Sequence, residues 1–111
     1  MTEREKTHTC GLIKRAFERA FECRKNSIEA YDKRTDVAFA RHAAMSAAME
    51  IIGGSASAMA ERFNRTQHGT VVNAVQANAA LLETEQGYRV KVNKAWSLLH
   101  AVGIRRQEVG Q

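Results

Sequence analysis

Apolar residues recur at helical spacing along most of this chain. Leu12, Ile13, Ala16, Phe17, Ala20 and Phe21 form one stripe, which predicts an amphipathic helix from Cys10 to Arg24. Lys14, Arg15, Arg19, Arg24 and Lys25 fall mostly off that stripe and read as a solvated face. Asn26-Ser27 breaks the pattern, and Ser27 is placed to cap a short helix through Ile28 and Tyr31. From Val37 to Ile52 the chain is alanine-rich and apolar on most sides, which predicts a central buried helix that neighbours can approach closely. Gly53-Gly54 then stops it, since glycine just past the last periodic residue tolerates the positive φ of a helix exit. No strand precedes this pair and no Gly-Lys-Ser/Thr follows, so it does not read as a phosphate loop.

Residues 55–82 predict two helices joined by a tight polar turn. Ser55 is an N-cap candidate, and Ala56, Met59, Ala60 and Phe63 follow at helical spacing. Asn64-Arg65 supplies the turn, because asparagine accepts the left-handed conformation a sharp exit needs. Thr66 is placed to cap a second helix, Gln67 to Leu82, with apolar positions Val71, Val72, Ala74, Val75 and Ala79. Gln67, His68, Gly69, Thr70, Asn73 and Gln76 fill its first turns. Those are hydrogen-bonding side chains plus one residue without a side chain, a composition suited to reading base edges in a major groove. Glu83 to Gly87 reads as a turn. Tyr88 to Val102 reads as a last helix, with Val92, Ala95, Trp96, Leu98 and Leu99 inward and Gly103 at its end. Residues 1–8 and 104–111 are expected to be unstructured tails of a single domain, with Arg105 and Arg106 in the second.

The run from Ala40 to Val75 resembles the C-terminal DNA-binding domain of the bacterial replication initiator DnaA, which belongs with the Trp-repressor-like helix-turn-helix proteins. Arg41, His42, Ala44, Met45, Ser55, Phe63, His68, Thr70, Val71 and Ala74 fall on that family's signature without a gap, and weaker likeness runs from about Ser27 to Leu99. The resemblance implies an all-α fold, a small helical bundle containing a helix-turn-helix. It also implies a double-stranded DNA partner. Where the family has Gly-Gly-Arg-Asp-His-Thr, this chain has Asn64, Arg65, Thr66, Gln67, His68, Gly69, so the family's base-reading Arg-Asp pair is missing. The family's arginine-rich loop, which enters the minor groove, is reduced here to Asp32, Lys33, Arg34, Thr35 and Asp36. DNA binding as a class follows from the likeness; recognition of the initiator's own site does not.

Charge agrees with a polyanionic partner: 17 Lys+Arg against 12 Asp+Glu leave a formal +5 on 111 residues. Proline is absent, which favours helix throughout. No stretch is long and apolar enough to span a membrane, and the first ten residues lack the apolar core of a secretory signal, so a cytoplasmic protein is expected. The resemblance implies a bacterial or phage-encoded one. Cys10 and Cys23 make no disulfide framework, and His8 with Cys10 lacks a second ligand pair for a metal. No nucleotide site, cofactor site or catalytic constellation is visible, and the chain is not expected to be an enzyme.

The expected interface follows. Gln67, His68, Thr70 and Asn73 are the candidates for base contacts. Lys33, Arg34, Arg41, Arg62, Arg65 and Thr66 are the candidates for the DNA backbone. Arg41 takes its role from the resemblance, with a salt bridge to Glu50 or Glu61 as the rival reading. Two alternatives share the fold: a protein-interaction module that has exchanged DNA for a protein partner, and a dimeric regulator of the Trp-repressor kind.

Overall fold

The computed structural model describes residues 1–106 and contains α1 (Glu3–Ala20), α2 (Thr35–Ile51), α3 (Ala56–Arg62), α4 (His68–Thr84) and α5 (Gln86–Ala101). The all-α expectation holds over these residues. α2 is the hub. It buries Val37, Ala40, Ala43, Ala44, Met45, Ala47 and Ala48, and it packs against α1, α3 and α4. Its alanines keep the crossings tight enough for three neighbours to share one helix. α5 lies mainly on α1, where Trp96 meets Phe17 edge-on with ring centres 6.5 Å apart.

The punctuation of the chain is largely as the residues predict. Gly53 and Gly54 both take positive φ, and Ser55 Oγ accepts from the Ala58 amide at 3.1 Å. Asn64 sits at φ 58 between α3 and α4. Gly103 turns the chain out of α5.

Several boundaries differ. α1 begins at Glu3, so the expected loose N-terminus is helical. Thr2 Oγ1 accepts from the Glu5 amide while Glu5 accepts from the Thr2 amide, a reciprocal cap that satisfies two otherwise orphaned donors. The same helix stops four residues earlier than expected, because Glu22 swings to φ 59 and the Cys23 amide returns to the Glu18 carbonyl at 2.8 Å. Ser27 to Tyr31 is a turn rather than a short helix. Thr66 does not cap α4; Gln67 stands at that position, without a side-chain bond to the helix. The turn expected over Glu83–Gly87 shrinks to Glu85 alone between α4 and α5. Of the expected tail, Ile104 packs partly against the core, Arg106 lies over the Trp96 ring and pairs with Glu50, and residues 107–111 fall outside the described residues.

α1 also buries charge that its pattern assigned to solvent. Lys14 is buried, with Nζ on the Glu29 carboxylate at 3.3 Å and on the Arg62 carbonyl. Arg15 bonds Glu29 and Asn26, and its Nε stands 3.0 Å from the Glu18 carboxylate in an ion pair too poorly angled to be a hydrogen bond. Glu18 in turn accepts from the Ile28 amide at 3.1 Å. Burial alone would raise the Glu29 carboxyl, but the Arg15 bond and the charge of Lys14 outweigh it and lower its pKa. The cluster anchors the 26–34 turn to α1.

Candidate nucleic-acid interface

α3 and α4 meet across the residues 63–67 in a helix-turn-helix. Phe63 is fully buried and the Arg65 amide reaches back to the Ala60 carbonyl at 2.8 Å, which fixes the exit from α3. Val71 and Ala74 are the buried residues of α4 and seat it on the bundle. Much of the rest of its first two turns faces out. Gln67, His68, Asn73 and Gln76 are exposed, and among the described residues none of their side chains has a hydrogen-bond partner inside the protein. Thr66 is exposed too, whereas Thr70 is half-buried and turned toward the bundle. At about 100° per residue, Asn73 stands about 140° around the helix from His68, so the two do not share one narrow face.

The sequence pattern misjudged the outer side of α4. Val72, Val75 and Ala79 were expected to belong to the buried stripe and are exposed instead. Valine is apolar in either setting, and spacing alone cannot say which of two adjacent apolar arcs meets the core.

The arginines expected to face a DNA backbone are engaged within the protein. Arg41, half-buried on α2, donates from Nε to the Ile28 carbonyl at 2.9 Å and from Nη2 to the carbonyls of Ala30 and Asp32 at 3.1 Å each. No salt bridge to Glu50 or Glu61 forms. Burial lowers its pKa, with the charge of Arg65 adding to the effect. Arg65 grips the same turn from the other side, donating to Glu29 and Ala30 carbonyls at 3.2 and 2.9 Å and lying 4.9 Å over the Tyr31 ring. Arg62 points back to α1, bonding Glu3 at 2.7 Å and Thr7 at 3.2 Å. Arg34 forks onto Asp32, whose carboxyl is held down to about 2 by those bonds. Lys33 is exposed and has no partner among the described residues.

Two features thus come together. One is a turn, residues 28–34, clamped by Arg41 and Arg65 and carrying Lys33. The other is the polar tip of α4, whose side chains are uncommitted. Both adjoin Arg65, so the clamp fixes the turn relative to the tip. The sequence held no direct sign of the clamp, since an arginine that donates to carbonyls needs no charged partner at a recognisable spacing.

Among the described residues no group of three or more His, Cys, Asp or Glu is placed to hold a metal, and no helix is long and apolar enough to cross a membrane. Both cysteines are free; Cys10 is buried, and burial raises its thiol pKa. No curated protein and no solved structure is similar enough to match. The family model of the bacterial DnaA protein helix-turn-helix matches residues 11–77, which spans α1 from Gly11, all of α2 and α3, and the first half of α4, leaving α5 outside. That is well over half of the chain, and it includes the turn and the tip described above: the chain belongs to the bacterial DnaA helix-turn-helix family.

Proposed function

We propose that this protein binds double-stranded DNA with a sequence preference, laying α3 across the backbone and entering the major groove with the N-terminal turns of α4. The observation that carries this reading is the tip of α4: Gln67 and His68 are exposed, hydrogen-bonding and unused by the protein. The family is a DNA-binding helix-turn-helix, and exposed hydrogen-bonding groups at the start of its second helix suit contact with base edges. Gln67 and His68 make the base contacts. Asn73 and Thr70 flank them, with Thr70 at the margin nearest the bundle. Thr66 and Lys33 meet phosphates on either side, and the outer edges of Arg34 and Arg65 add to the field. Arg41 and Arg62 act through the segments they hold. The process served is replication or transcription control in a bacterial or phage setting.

The test is selection of bound duplexes from a random pool with the full chain, followed by footprinting on the winner. An enriched sequence, protected in one major-groove stretch, is the expected result. Failure to enrich any sequence, with no retention of duplex at low salt, overturns the proposal and favours a protein partner.

A further inference from the structure

We infer that Val72, with Val75 beside it, reads thymine: the outer side of α4 presents an apolar shelf to 5-methyl groups in the major groove. The inference rests on the placement of α4 proposed above and assigns it a base class.

Val72 and Val75 leave apolar surface beside the polar tip of α4. Val72 is 42% exposed and Val75 37%, whereas Val71, farther round the helix beyond Val75, is buried. β-Branched residues are poor helix formers, because their χ1 freedom is lost against the preceding turn. At about 100° per residue, Val72 lies about 40° to one side of His68 and Val75 about 20° to the other. Both therefore share the face of the tip more closely than Asn73 does. A helix that brings His68 to base edges brings Val72 to the next step along the groove.

Gly69 gives a second, independent sign. A Cβ built there would meet nothing within 4 Å, so the protein's own packing does not require the side chain to be missing. The bare position lies next to Val72 on the outer arc, and its missing side chain lets a partner come close at that point. Of the groups in the major groove, the thymine methyl is the one that takes an apolar contact, and a branched aliphatic side chain suits it. Val72 is also within one turn of the hydrogen-bonding tip, so one helix face would read polar edges and a methyl group together.

Deoxyuridine differs from thymidine by that methyl group alone and is the probe. On the selected duplex, thymines are replaced one at a time by deoxyuridine. The full chain is expected to lose about fourfold in affinity at one or two positions under α4, the worth of one methyl removed from water. Val72→Ala should bind the parent duplex about fourfold more weakly and no longer distinguish thymine from uracil there. Its thermal melt should match the parent protein, because the side chain is on the surface. A flat deoxyuridine scan with tight duplex binding overturns the inference and leaves the DNA reading standing. So does a Val72→Ala variant that still discriminates. Absence of any duplex binding removes the placement of α4 and this inference with it.

Discussion

The 28–34 turn and the tip of α4 lie side by side, and they treat polar groups in opposite ways. In the turn, the carbonyls of Ile28, Glu29, Ala30 and Asp32 all receive guanidinium donors from Arg41 or Arg65. At the tip, the side chains of Gln67 and His68 have no hydrogen-bond partner among the described residues. The difference teaches how to separate positive charge that builds a surface from polar groups that serve as one. A buried or half-buried donor with several partners is already satisfied, and moving it toward a phosphate would strand those partners. An exposed amide and imidazole have no such commitment.

The sharpest way to break that contrast is Arg41→Ala. Its loss leaves the Ile28 and Asp32 carbonyls without their charged donor, while Ala30 keeps Arg65, and stability should fall by about 2 kcal/mol. Chemical denaturation reads this directly. Affinity for DNA should fall for all sequences alike, with the slope of log K against log salt unchanged. A slope flatter by about 0.9 would instead make Arg41 a phosphate contact and erase the distinction.

His68→Ala is the complementary experiment. Binding to the selected duplex should weaken by about 1 to 3 kcal/mol, the range for a single specific base contact, with no change in the melt. Titration by gel shift is sufficient. Parent-like affinity would take His68 out of the interface and leave the tip without its main group.

The smallest expected effect separates the tip from the core by pH. Burial lowers the pKa of His42, with the charge of Arg41 adding to it, and its Nδ1 is buried without a partner. In the unfolded chain this imidazole takes up a proton near pH 6.5, while in the folded chain it resists. The unfolded state therefore binds more protons in that window, and stability is lost as pH falls from 7.5 to 5.5. Thermal melts at the two values should differ for the parent and differ less for His42→Gln. Equal shifts in both proteins would assign the dependence to other groups.

Most of the architecture was legible because it follows from local chemistry. The alanine-rich run, the Gly53-Gly54 stop, the Ser55 cap and the left-handed Asn64 each act within a few residues of where they stand. The Thr2–Glu5 capping box was equally local and is written in the sequence, but the charged residues around it resemble a frayed end. What could not be read were contacts made by the fold as a whole. Lys14 looks like a surface lysine until Glu29 and the end of α3 are brought to it, fifteen and forty-eight residues along the chain. The clamp by Arg41 and Arg65 is of the same kind. At the candidate site, Gln67 and His68 were legible as polar residues at a helix start, whereas the outward turn of Val72 and Val75 depends on how α4 sits on α2 and α3.

The Lys14 ammonium has a mechanical consequence. It joins α1, the turn through Glu29, and the last residue of α3 at one point, while Arg62 ties that same residue to the start of α1. Tilting α3 on its own would tear a buried cation from the Arg62 carbonyl. The scaffold behind α4 is thus braced against rocking, and in the proposed complex any strain of fitting would fall on the nucleic acid, whose flexible base steps would then decide where the protein settles.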